Sequence, residues 1–324
     1  MIAPLSTAAI EMHDLSKVFD RRVKAGRFRR VNERHEAVQA ISLTVKRAEI
    51  VGYIGPNGAG KSTTIKMLTG ILQPSSGTAL VAGLVPLEER VKLARRIGVV
   101  FGQRSNLWWD LPLADSFDLL RHVYRVPAVD HARTLAWLTE LFDLGGFLAS
   151  PVRALSLGQR MRGELTSALL HNPEIVFLDE PTVGLDVVSK HAVREALRTI
   201  HREQGVTVVL TTHDLADVEE LCPRLVIIDH GRLIHDGPTA DLKVRFGGER
   251  TLVVDLVEAR EPLVVAGATC TKVDGPRQWL QFAPVISAAS VLAAVAGQAD
   301  VRDLTVQEPA IEDIVRRIYE GART

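Results

Sequence analysis

The sequence predicts an α/β fold: a mostly parallel sheet flanked by helices, with an inserted helical subdomain and a small α+β domain after it. Three observations predict this. Short apolar runs at 50–54, 96–101, 175–179, 206–211 and 225–229 are strand-like, and a helical stretch at 187–203 separates two of them. Residues 112–170 carry helical periodicity, broken at Pro127, Gly145-Gly146 and Pro151, and the helical subdomain is placed at about 105–170. After Gly237-Pro238 the texture changes to short strands and two helices. The expected domains are 8–240, with the helical subdomain inside it, and 245–324.

Taken in order, residues 10–51 read as early strands. Ile41-Ser42-Leu43-Thr44-Val45 alternates apolar and polar, as a half-buried strand does. Between two such strands lies a basic insertion, Arg21 to Arg34, with Arg21, Arg22, Lys24, Arg27, Arg29, Arg30 and Arg34. It reads either as a solvated loop or as a contact for anionic lipid headgroups or acidic loops of a partner. Ile50-Val51-Gly52-Tyr53-Ile54 leads into a glycine loop, and Ser62 to Leu72 reads as the next helix. In the last domain, strands are expected at Thr251–Leu256, around Trp279 and at Val301–Val306. An Ala-rich helix, Ala288 to Ala296, and a final helix from Pro309 to Tyr319 complete it.

The bulk numbers exclude several classes. With 324 residues, 46% of them apolar, a large core is easily built. Lys+Arg and Asp+Glu are 39 each, for a formal charge of +0, which argues against nucleic acid as a partner. Cys222 and Cys270 stand far apart, so neither a disulfide framework nor a metal cluster is expected, and a reducing compartment is the default. The start, Met1-Ile2-Ala3-Pro4-Leu5, does not read as a signal peptide. No segment reaches the roughly 20 apolar residues that span a bilayer, so another polypeptide must supply any spans.

Two motifs carry chemistry; the second does so by its place after the first, since an ordinary strand may also end in acids. Gly55-Pro56-Asn57-Gly58-Ala59-Gly60-Lys61-Ser62-Thr63 follows a strand and opens a helix. Glycines let the backbone wrap phosphates with N–H groups inward, and the helix N-terminus adds partial positive charge. Lys61 is expected to reach the β- and γ-phosphates and Ser62 Oγ to ligate Mg²⁺. Ile175-Val176-Phe177-Leu178-Asp179-Glu180 is a buried strand ending in two acids. Asp179 is placed to hold Mg²⁺, and Glu180, one residue on, to polarise an attacking water.

With these motifs in this order, the chain resembles the nucleotide-binding subunit of an ATP-binding cassette (ABC) transporter over roughly residues 8–240. The resemblance implies a P-loop NTPase core with ATP and Mg²⁺ as ligands. Leu155-Ser156-Leu157-Gly158-Gln159 resembles the family signature, with Leu157 where glycine is commoner. It implies that Ser156, Gly158 and Gln159 bind the γ-phosphate held by an opposite subunit. An ordinary helix cap at Ser156 leaves the glycine and glutamine unexplained. Three further positions carry over: Gln103 to the loop that senses Mg²⁺ and the membrane partner, Asp186 in Gly184-Leu185-Asp186 to the loop crossing the dimer interface, and His213 to the γ-phosphate switch. Phe19 is the match for the aromatic that stacks on adenine, with Phe28 the runner-up because the basic insertion disturbs the register.

The implied partners follow. A second copy, or a paralogous ABC subunit, faces the first head to tail, and an integral membrane permease contacts the Gln103–Trp109 region. Adjacent Trp108 and Trp109 cannot both point inward on a regular element, so one is a candidate interface anchor. The single cassette, the passage Gly102–Trp109 and the C-terminal extension resemble bacterial exporters whose permease is a separate chain. That places the chain at the cytoplasmic face of the cell membrane, with an importer ATPase or a non-transport ABC ATPase as the alternatives.

Overall fold

The computed structural model describes residues 7–24, 30–102, 105–245, 248–309 and 311–321. Its elements run β1 (Ala8–Lys24), β2 (Arg30–Lys46), β3 (Ile50–Ile54), α1 (Lys61–Leu68), β4 (Ser76–Val81), α2 (Arg90–Ala94) and β5 (Ile97–Phe101). Helices α3 (Leu113–Tyr124), α4 (Ala128–Leu141) and α5 (Leu157–Leu169) follow. Then come β6 (Ile175–Asp179), α6 (Val187–Gln204), β7 (Thr207–Thr211), α7 (Leu215–Leu221), β8 (Arg224–Asp229) and β9 (Arg232–Pro238). The chain divides into two compact units, Met1–Asp236 and Gly237–Thr324.

In the first unit a six-stranded sheet has the order β5-β6-β7-β3-β8-β9, and β5, β6, β7, β3 and β8 pair in parallel. Those strands are continuous apolar runs because both faces are covered; β3 and β7 are buried at every position. A separate antiparallel sheet, β2-β1-β4, accompanies it. Ile10, Met12, Leu15, Val38 and Ile41 from that sheet share one core with Ile65 and Leu68 of α1 and with Phe177, Val209 and Val226. Burying each such side chain contributes about 1.5–3 kcal/mol. Being central, β3 delivers the glycine loop to the carboxyl edge of the sheet, where its neighbours also end.

The early strands form their own antiparallel layer. One expectation changes here: the basic stretch is not simply a loop between two strands. β1 and β2 pair on through it, Arg21 opposite Glu33 and Lys24 opposite Arg30. Its middle, and Phe28 with it, lies outside the described residues.

The second unit contains α8 (Thr239–Arg245), β10 (Arg250–Leu256), β11 (Ala268–Asp274), β12 (Arg277–Phe282), α9 (Ala288–Ala296), β13 (Val301–Gln307) and α10 (Ile311–Gly321). Its antiparallel sheet has the order β11-β12-β10-β13. Ser287 caps α9 by accepting from the Ala289 N–H at 3.2 Å, and the helix buries Val291 and Val295 against Leu252, Val254 and Leu280. No helix among the described residues is long and apolar enough to cross a membrane.

Candidate nucleotide site

The glycine loop is held in a shape that few residues permit. Gly58 and Gly60 have φ of 84° and 105°, in the left-handed region. A Cβ at Gly60 would stand 2.3 Å from the Ala37 carbonyl oxygen. Ala59 N–H donates to Pro56 O at 3.1 Å, which closes the turn. Thr64, one turn into α1, accepts from the buried Tyr53 hydroxyl at 3.2 Å; burial pushes that phenol's pKa up.

Lys61 is buried, and its Nζ donates to Gly55 O at 2.6 Å and Pro56 O at 3.1 Å. An ammonium has three donors, so one remains after these two bonds. Burial lowers its pKa, while Glu180 and Asp179 nearby act in the opposite sense. Ser62 Oγ donates to Asp179 Oδ2 at 2.9 Å. Thr211 Oγ donates to Asp179 Oδ1 at 2.5 Å, a contact set up by the parallel register that puts Asp179 opposite Thr211. Sequence reading missed Thr211; its only signal is a hydroxyl ending an apolar strand two residues before His213.

Glu180 stands just past β6 with φ 55°, a strained backbone for a residue with a side chain. Its N–H donates to Thr211 O at 2.9 Å. Its Oε1 lies 3.2 Å from His213 Nδ1. Glu180, Asp179, Lys61 and Ser62 open onto a cleft of about 690 Å³, also lined by Phe19, His35, Asn57, Gly58, Gly60, Thr63, Leu157 and Met161, among others; His213 stands beside Glu180 and does not line it. Phe19 pairs across the hairpin with His35, and Lys17 Nζ sits 5.2 Å from the Phe19 ring centre.

The remaining sequence-derived residues lie elsewhere. Ser156, Gly158, Gln159 and Asp186 do not line the cleft, and Gln103 is outside the described residues. Ser156 caps α5 reciprocally with Gln159: the Gln159 N–H donates to Ser156 Oγ at 3.2 Å, and the Ser156 N–H to Gln159 Oε1 at 2.9 Å. A Cβ at Gly158 would meet Ser189 Oγ at 2.7 Å. The local helix start therefore does account for the glutamine, contrary to the sequence reading, while the close approach of Ser189 on α6 accounts for the glycine. Asp186 caps α6, accepting from the Ser189 N–H at 2.8 Å and the Ser189 hydroxyl at 3.0 Å, and these bonds hold its carboxyl below the usual range. Trp108 and Trp109 are both exposed, and the Arg160 guanidinium lies 5.8 Å from the Trp109 ring centre.

A family profile described as ABC transporter matches residues 38–183, which span the glycine loop, the Ser156 turn and the Asp179-Glu180 strand end. The linearmycin resistance ATP-binding protein of Bacillus subtilis is 34% identical over 284 residues, covering 85% of this chain and 91% of that protein. The chain belongs to the ABC transporter ATP-binding family. The daunorubicin resistance ATP-binding protein DrrA3 of Streptomyces coeruleorubidus is 32% identical over 302 residues, 89% of this chain and 94% of its own. Among solved structures, a dimeric ATP-binding cassette in a post-hydrolysis state with ADP and Pi matches with a TM-score of 0.61 at 26% identity. That match covers 71% of this chain and 98% of the cassette. As an ABC subunit the chain is an ATPase that drives transport.

Proposed function

We propose that the chain powers an exporter by binding ATP in the cleft above and closing on a second copy, head to tail. One observation carries the reading. The phosphate loop, Asp179 and Glu180 converge on the cleft with His213 bonded to Glu180, while Ser156 stands exposed at the start of α5 and does not line that cleft, which its neighbour Leu157 borders. Exposed apolar side chains stand in the signature turn, at Leu157, and after the Glu180 loop, at Val183, Val187 and Val188, and are suited to cover by another chain. The export direction is supported by relatives named for drug resistance that the chain covers over nine-tenths of their length. The permease is proposed to dock near exposed Trp108 and Trp109, holding the subunit at the membrane's cytoplasmic face.

In this reading the glycine-loop N–H groups and Lys61 hold the phosphates. Glu180 accepts a proton from the water that attacks the γ-phosphorus, and the bond to the β-γ bridging oxygen breaks with its electron pair leaving on ADP. His213 orients Glu180 and meets the γ-phosphate. Ser62 Oγ and Asp179 Oδ2 are an all-oxygen pair, 2.9 Å apart, of the kind that fits Mg²⁺, which takes one or two protein oxygens beside phosphate oxygens and water. When bound, the ion neutralises phosphate charge.

Glu180→Gln keeps the side chain's shape and loses its basicity. It should bind ATP, lower turnover by about 10²–10⁴-fold and accumulate an ATP-bound dimer. Size exclusion with ATP and Mg²⁺, beside a phosphate-release assay, checks this. A monomer with wild-type turnover would overturn both the base and the shared site.

A further inference from the structure

Two loops meet at the reacting side of the cleft. One carries Glu180 and runs on through Pro181-Thr182; the other carries Thr212 and His213. One carboxylate lies behind both. Asp217 on α7 is fully buried. Its Oδ2 accepts from Thr182 Oγ, and from Thr212 Oγ at 3.4 Å. Its Oδ1 accepts from Arg194 Nε at 2.7 Å, with Arg194 Nη2 also 2.5 Å away. Arg194 belongs to α6, the helix capped by Asp186, and its Nη1 donates to Glu220 at 2.7 Å. Thr182 and Thr212 are buried too, at 1% and 0% exposure.

A buried ion pair is poor evidence for stability, because apolar packing of similar volume serves as well or better. What this one does is geometric. A single carboxylate oxygen takes a hydroxyl two residues after Glu180 and another one residue before His213. The Glu180 backbone is strained at φ 55°, and such a conformation persists only where its surroundings hold it. We infer that Asp217 is a positioning residue for hydrolysis: it fixes the Glu180 and His213 loops against each other, and Arg194 carries that arrangement into α6. The inference rests on the proposed roles of Glu180 and His213.

The test uses Thr182→Val and Thr212→Val in the full chain, because each removes one hydroxyl and leaves the Asp217–Arg194 pair intact. Each should lower kcat about tenfold through misplacement of the reacting groups. ATP affinity should stay within about twofold, since the phosphate loop is untouched. Thr182→Ser should restore turnover. Thr212→Val should add little to His213→Ala, because both act through one group. Asp217→Asn should repeat the kcat loss, and if it does not fold the threonine variants decide. Turnover within about twofold of wild type in both valine variants, or a fully additive loss on the His213→Ala background, overturns the inference. Unchanged turnover in Glu180→Gln would instead overturn the site reading beneath it.

Discussion

The phosphate half and the signature half of this ATPase are built differently. At the phosphate half, Lys61 is buried and already bonded to two loop carbonyls, and Asp179 is held on both oxygens, by Ser62 and Thr211. At the signature half, Ser156 is exposed, its N–H and one acceptor site of its hydroxyl are engaged in its own helix cap, and the neighbouring Leu157 is an exposed apolar side chain. A buried lysine must keep its charge near satisfied partners, or its desolvation is costly. An exposed turn such as the one at Ser156 faces no such demand. The contrast is what a site divided between two copies would leave on each of them.

The largest break in that contrast comes from the phosphate half. Lys61→Ala removes charge-assisted hydrogen bonds worth about 1.5–3 kcal/mol each, so ATP affinity should fall about a hundredfold or more. Calorimetry on the isolated chain reads it directly. Retained affinity would mean that the loop is not the phosphate site.

Ser156→Arg attacks the other half. Hydrolysis should stop, while ATP affinity of the monomer stays within about twofold, because Ser156 itself does not line its own cleft, although its neighbour Leu157 does. Mixing it with Lys61→Ala sharpens the comparison. A mixed dimer carries both lesions in one site and neither in the other, so some turnover should return unless two working sites are required. Loss of ATP affinity in the Ser156→Arg monomer would put Ser156 in its own pocket and remove the main support for the shared site.

Much of this was legible in the chain. The glycine loop declares itself because its glycines, lysine and serine are contiguous and each has a local job, as Gly60 shows against Ala37. Asp179 and Glu180 are legible as acids ending an apolar strand. Thr211 and Asp217 were not, because their roles depend on which strand lies beside which: β6 next to β7, with α7 behind. Periodicity reports a strand but not its neighbour. The early strands were legible as strands, but not that they form a separate antiparallel layer, since strand content says nothing about sheet membership. Gln159 was given a phosphate contact alone, although a serine followed three residues later by glutamine is also a helix-start pattern, and the capping box is formed.

The smallest expected effect concerns how the signature helix is anchored. Glu164 on α5 is buried, and burial raises its carboxyl pKa above the ordinary 4.5. It accepts from the Ser105 hydroxyl and from the Asn106 N–H at 3.0 Å, while Asn106 Nδ2 donates to Val99 O of β5 at 2.9 Å. The acid thus ties α5 to the segment that leaves the core sheet. A carboxyl whose folded pKa is raised holds its proton more tightly in the folded state. Its stabilisation is complete below the unfolded value and is lost as pH rises through the folded one. Glu164→Gln keeps both contacts in neutral form: the amide oxygen accepts from Asn106, and the amide N–H₂ donates to Ser105. Denaturant melts across the acid-to-neutral range should show wild type losing stability relative to Glu164→Gln as pH rises from about 4.5, then a constant difference once the buried carboxyl has ionised. A difference that does not vary with pH would mean that Glu164 titrates as an ordinary carboxyl and that the anchor of α5 is insensitive to its charge.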